Sequence, residues 1–321
     1  MDWKNRFTPL SLNENDKLPS LVLSYLPSCQ AISVSGEDRK TYLQGQLTCD
    51  LVTLPESEST LGAHCDAKGK VWSLFRLFGH KDSYALCLHA SSAEKALAEI
   101  KKYSVFSKVT IELSSDIALG LQGDGADEYI NKATEGSGKV RSFMNGSAVW
   151  VEDNRWLLLL SEQDAVTLTE EDSFNLASEE AWNLADIKAA LPCVTDSNQN
   201  EHIPQAFNLH LIGGVSFNKG CYTGQETVAR AKYRGTNKRA TYILKGKCDT
   251  RLEGRVELER NVGQNWRSAG EFLSYYQYAD GQVTGIAVLP NNLEPDTKFR
   301  LAHQPDSSFV FGEMPYSLES E

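Results

Sequence analysis

Four glycines fall within twelve residues in the run Gly213-Gly214-Val215-Ser216-Phe217-Asn218-Lys219-Gly220-Cys221-Tyr222-Thr223-Gly224, followed by Gln225-Glu226. Backbone without Cβ atoms takes positive φ, or lies against another segment where a side chain would clash, so this run reads as a closely held loop. Thr223-Gly224-Gln225-Glu226 has the spacing of a capping box, with the threonine hydroxyl accepting from the backbone three residues on and Glu226 reaching back. The pattern predicts a helix through Thr227–Tyr233 that stops near Gly235. Cys221 then stands just ahead of a helix N-terminus, beside Lys219. Both neighbours favour thiolate, which sets it apart from the other cysteines. The alternative is a small packed thiol.

The chain has 32 Lys+Arg against 43 Asp+Glu, a formal −11, yet between Lys219 and Arg239 six basic residues (Lys219, Arg230, Lys232, Arg234, Lys238, Arg239) meet one acid, Glu226. A cationic spot on an acidic protein focuses a field for an anion and argues against a broad phosphate-binding face. The competing reading is a solvated helix face. At 321 residues the chain suggests about two domains. No apolar run approaches a membrane span, and the amino terminus lacks a signal-peptide core. Seven cysteines (29, 49, 65, 87, 193, 221, 248) show no C-x-x-C spacing, which points to reduced thiols in a cytosol and to no local metal ligand set.

Along the chain, 31–35, 61–65, 71–78 and 84–88 read as strands, the middle two joined by a turn at Asp66–Lys70. A short helix over 37–43 stops at Gly45, and a capped helix runs from Ser91 to Lys102. Val105 to Leu113 reads as extended. A second α+β unit starts at Ile117, with a helix at 126–130, strands at 149–151 and 156–160, and a helix at 179–190 ended by Pro192. Trp182, Ala185 and Ala189 share one face of that helix, so core packing is the default for Trp182. After Arg239 come short strands, with a hairpin signal at Asp280-Gly281, that suggest a small antiparallel barrel. The expected division is 1–239, with two sub-domains split near 114 whose strands can interleave, and 240–321. Phosphate-loop, dinucleotide, H-E-x-x-H and G-x-S-x-G motifs are missing.

K-G-C-Y-T-G-Q-E (219–226), with Ile203-Pro204-Gln205, Asn208-Leu209 and Gly213–Phe217 before it and Val228-Ala229-Arg230 and Tyr233–Arg239 after it, resembles the YgfZ-type folate-binding, tRNA-modifying proteins of the aminomethyltransferase superfamily. Tyr42–Thr48 with Asp50, His64–Lys70 and the carboxy-terminal segment extend the resemblance over essentially the whole chain. It implies an α+β aminomethyltransferase-like folate-binding fold of two ferredoxin-like sub-domains plus a C-terminal β-barrel. It implies tetrahydrofolate as cofactor, no metal, and a cytoplasmic role supporting tRNA modification (methylthiolation) and iron–sulfur enzyme assembly or repair through a functional thiol at Cys221. The implied partners are iron–sulfur enzymes, including tRNA-modifying ones, with direct tRNA contact left open. Lys219 and Arg230 would tune the thiol or hold an anion with Arg234, Lys238 and Arg239. Gly220, Tyr222, Thr223, Gly224, Gln225 and Glu226 would shape the loop. A family tryptophan associated with folate falls at Trp182. A second aligns near Cys29, where this chain departs, leaving Trp3 or Tyr25 as substitutes. Transferases of the superfamily carry an aspartate in a segment matching His89–Leu97, with Ala96 at its place here. One-carbon transfer or demethylation, and a non-catalytic scaffold, are the alternative functions.

Overall fold

The structure, a computed structural model, describes residues 2–318. The chain runs β1 (Val22–Tyr25), β2 (Cys29–Ser35), α1 (Arg39–Gln44), β3 (Thr60–Cys65), β4 (Val71–His80), β5 (Ser83–His89), α2 (Ala90–Lys101), β6 (Thr110–Leu113) and β7 (Ile117–Gln122). It continues through α3 (Ala126–Ala133), β8 (Val140–Phe143), β9 (Gly146–Glu152), β10 (Arg155–Leu160), α4 (Glu162–Thr169), β11 (Asn175–Ala177), α5 (Glu180–Lys188) and α6 (Gln225–Arg234). The last strands are β12 (Arg239–Lys247), β13 (Glu257–Val262), β14 (Asn265–Gln277), β15 (Gln282–Pro290), β16 (Phe299–Leu301) and β17 (Gln304–Phe311).

Two sheets and a barrel result. One sheet orders β3-β4-β5-β2-β6, the other β11-β1-β7-β10-β9-β8, and β12-β15-β14-β13-β16-β17 close on themselves. β1 precedes the first sheet in sequence but pairs with β7 and β11 of the second, so the two units interleave. Alternation along β10 explains the layering. Trp156, Leu158 and Leu160 face α3 and α4, while Leu157 and Leu159 face the other sheet with Phe78, Ala85 and Val149. A strand covered on both faces has no polar side to show, which is why Arg155-Trp156-Leu157-Leu158-Leu159-Leu160 is buried throughout. α2 covers the outer face of the five-stranded sheet through Ala93, Ala96 and Ile100.

α5 is the wedge that positions the site. Leu184 and Ile187 pack on the barrel residues Ile243, Tyr276 and Ile286, and Trp182 turns to the inter-sheet core. The indole lies so close to β7 that a Cβ on Gly120 would sit 2.2 Å from its ring, so only glycine is accommodated there.

Two expectations change. Val105 is not in a strand: Ser104–Phe106 make a single 3-10 turn, with Val105 80% and Phe106 98% exposed. β6 pairs with β2 only from Thr110 onward, so the earlier residues have no ladder to join. The sequence reading also passed over α4, whose signal is Ser161-Glu162-Gln163-Asp164: the Ser161 hydroxyl accepts from the Asp164 N–H at 3.2 Å.

Candidate functional site: an anchored thiol loop and a cavity behind it

Three stretches distant in sequence meet at the loop. The Ser216 N–H donates to the Thr48 carbonyl at 2.8 Å, and the buried Thr48 hydroxyl donates to the Gly214 carbonyl at 2.6 Å. The Thr223 N–H donates to the Gly45 carbonyl at 3.2 Å. On the other side the backbone of Gly224 lies on the 66–69 turn, where a Cβ on Gly224 would stand 2.5 Å from the Asp66 carbonyl oxygen.

Lys219 is the anchor. Only 8% of it is exposed, and its ammonium donates to the carbonyls of Gln44 (2.7 Å), Leu47 (2.7 Å) and Cys49 (2.6 Å). All three ammonium protons are thereby used. Burial pulls its pKa below the ordinary lysine value, and the nearby Cys49 and Asp50 work against that shift. The expectation that Lys219 holds an anion is therefore corrected: it satisfies carbonyls at and beyond the end of α1, which have no intrahelical partner.

The capping box is corrected too. Gly224 occupies the N-cap in the left-handed region at φ 85°, which its contact with the 66–69 turn requires, and no side chain caps α6. The Thr223 hydroxyl turns to Gln46 at 3.4 Å, and Glu226 pairs with Arg230 one turn on at 2.7 Å, both exposed. Tyr222 is buried beneath the loop, 5.2 Å from the Lys219 ammonium, and burial raises its hydroxyl pKa. Gly220 bends through open space, and Gln225 begins α6. Arg234, Lys238 and Arg239 are exposed, and none forms an ion pair among the described residues. The result is an exposed Cys221 on a loop clamped from two sides.

Trp182 and Cys29 lie elsewhere, together, on the wall of an open cavity of about 230 Å³ lined by residues of both sheets, α5 and the barrel. Cys221 is not part of that wall. The Arg155 guanidinium stacks 3.9 Å from the Trp182 ring centre and donates to Asp186 at 2.7 Å and to the Trp182 carbonyl at 3.0 Å, so one side of the indole is already occupied. Trp3 and Tyr25 pack edge-on against each other at 5.3 Å away from this wall, so neither substitutes for an aromatic at Cys29. Cys29 instead neighbours Cys87, and that neighbour, with burial, pushes Cys87 well above the ordinary thiol range. Cys193 on the same wall is pushed up to about 12 by burial.

Ala96 does not face the cavity. It is 1% exposed inside the core between α2 and its sheet, so a carboxylate at that position would be buried against leucines rather than presented to a ligand. The charged groups on the wall are Arg76 and Asp186, with His89 at the start of α2. Sequence reading missed these. The signal for Arg76 is a lone charge in the apolar strand Val71–Phe78. Among the described residues no cluster of three or more His, Cys, Asp or Glu is placed to hold a metal ion, and no helix is long and apolar enough to cross a membrane.

Comparison with known proteins bears on the family and the fold. The family described as YgfZ, beta-barrel domain matches residues 237–304. The tRNA-modifying protein YgfZ of Vibrio atlanticus is 53% identical over 323 residues, covering 100% of each chain. That of Aliivibrio fischeri (strain MJ11) is 48% identical, covering 98% of each, and that of Escherichia fergusonii 39% identical, again covering 98% of each. Among solved structures, the glycine cleavage system aminomethyltransferase T of Bartonella henselae superposes with a TM-score of 0.67 at 13% identity, over 98% of this chain and 89% of that one. It shows that the α+β architecture with its C-terminal barrel is the aminomethyltransferase fold.

Proposed function

This chain belongs to the YgfZ family, and on that premise we propose that it binds tetrahydrofolate in the Trp182 cavity and supports tRNA modification, methylthiolation in particular, through Cys221. The same reading makes it a cytoplasmic helper of iron–sulfur enzymes, tRNA-modifying ones among them, in their assembly or repair. The observation that carries it is the exposure of Cys221 on a loop whose lysine is spent on anchoring. A thiol held outward on a rigid mount is placed to meet a group on a macromolecular partner. The exposed Arg234, Lys238 and Arg239 lie on the segment that follows, and they suit an acidic partner surface or a short stretch of phosphates.

The cavity suits the ring end of a folate. At about 230 Å³ it is below the usual range for a whole drug-sized ligand and large enough for a fused bicycle, with linker and glutamate tail left to lead outward. Trp182, Arg76 and Asp186 would hold that ring. When bound, a reduced folate supplies a one-carbon carrier. One-carbon transfer itself finds less support, because among the described residues the only acid on the cavity wall, Asp186, is paired with Arg155.

The test is complementation. A strain deleted for its own family member and supplied with this chain should regain methylthio-modified tRNA, measured by mass spectrometry of nucleosides. Cys221→Ser should leave the modification near the deletion level. Full restoration by the serine variant would remove the thiol from the account.

A further inference from the structure

Arg76 and Asp186 face the cavity with binding capacity that the protein does not use. Arg76 is half-buried on the cavity wall, and burial lowers its pKa to about 10, with Asp186 the strongest opposing charge. Its one hydrogen bond among the described residues is a long 3.4 Å contact to the Ser59 hydroxyl. A guanidinium has five N–H donors, so most of those of Arg76 are free for a group that enters the cavity. Asp186 gives one carboxylate oxygen to Arg155 at 2.7 Å, and the second accepts from no described residue. Both side chains line the same wall as Trp182.

We propose that Arg76 and Asp186 read the edge of a 2-amino-4-oxo-pyrimidine ring: the free Asp186 oxygen accepts from the ring's amino and N3–H groups, and Arg76 donates to its carbonyl oxygen. Along that edge the ring presents two donors and then an acceptor, the complement of a carboxylate next to a guanidinium. The inference rests on the folate reading for its ligand, because a pterin carries this edge. Guanine carries it too, so the chemistry is shared by two sources. Asp186 is then a recognition residue that uses both oxygens, one to fix Arg155 over Trp182 and one for the ligand.

The experiment measures binding by quenching of tryptophan fluorescence and by calorimetry, using 5-formyltetrahydrofolate, 6-hydroxymethylpterin, 6-hydroxymethyllumazine, p-aminobenzoylglutamate and guanosine monophosphate as probes. Arg76→Met should weaken 5-formyltetrahydrofolate and hydroxymethylpterin alike, by about tenfold to a hundredfold, the worth of a hydrogen bond to a charged group. Lumazine has a carbonyl where pterin has the amino group, so the full chain should prefer pterin. Asp186→Asn, which can donate, should erase or reverse that preference. A preference ratio is not moved by a general loss of folding. The proposal is overturned if Arg76→Met leaves the pterin probe unaffected, or weakens only the probes that carry the glutamate tail. It is equally overturned if Asp186→Asn keeps the wild-type ratio. Binding of guanosine monophosphate but no folate, with the same variant effects, would uphold the edge-reading pair while rejecting the folate reading.

Discussion

Cysteines mark the difference between the two regions. Of the three cysteines on the cavity wall, Cys87 is buried and Cys29 and Cys193 are half-buried. Cys87 is held in its protonated form by its neighbour Cys29 and by burial, and Cys193 by burial. On the loop Cys221 is exposed, and the lysine two residues before it is buried. The arrangement inverts the usual placement of a small thiol inside and a long cation outside. A protein spends a desolvated lysine only where its three donors hold something in place. Here they hold the platform of residues 44–49 to the loop that presents the thiol. The cavity and the loop that presents the thiol share no wall.

The largest effect expected from breaking this division is at the cavity. Trp182→Ala should cost about 3–5 kcal/mol by denaturant unfolding, since it empties the space beside Gly120 and removes the surface under Arg155. Folate affinity should fall with it, while alkylation of Cys221 in the folded protein continues at the wild-type rate. Next comes the anchor. Lys219→Met leaves three carbonyls without their donor and should cost about 2–4 kcal/mol, partly offset because no ammonium is then desolvated. Limited proteolysis should cut first within 213–224, and tRNA support should drop although Cys221 is intact. An unchanged digestion pattern would mean that the loop is held by other contacts.

A smaller effect comes through pH. His64 in β3 is 2% exposed, borders the 44–49 platform through Leu47, and is held neutral by burial down to about pH 4 against 6.5 in the free side chain. Below pH 6.5 the unfolded chain therefore binds a proton that the folded chain refuses. Stability is full above 6.5 and falls as pH drops toward 4, by about 2 kcal/mol at pH 5 from this group. His64→Gln should flatten that part of the stability–pH curve, and an unchanged slope would assign it to other groups. Cys221→Ser should have the smallest effect of all, within about 0.5 kcal/mol by thermal unfolding, as befits an exposed side chain without packing duties.

Much of this was legible in the residues. Glycine spacing marked the thiol loop, short strands with Asp280-Gly281 marked the barrel hairpin between β14 and β15, and Trp182 packs in the core as expected, although Ala185 and Ala189 on its expected face stay half-buried. Role assignment failed where tertiary contact overrode a local signal. Thr223 and Glu226 have capping spacing, but the approach of Gly224 to the 66–69 turn decides the backbone at the helix start. Lys219 beside Cys221 suggested electrostatic tuning, whereas its reach takes the charge inward to carbonyls some 170 residues away in sequence. Ala96 was matched to a transferase acid through the resemblance of its segment, and only the packing of α2 shows that the position points into the core. Arg76 and Asp186 lie 110 residues apart, a proximity that sequence spacing does not reveal.

The most direct test of the division between binding and reacting regions is the tetrahydrofolate affinity of the Cys221→Ser variant, titrated by tryptophan fluorescence beside the wild type. The account predicts dissociation constants within about twofold of each other, since no shared contact is lost and a tenfold change would require about 1.4 kcal/mol. Affinity weakened tenfold or more would place the thiol inside the folate site and contradict it.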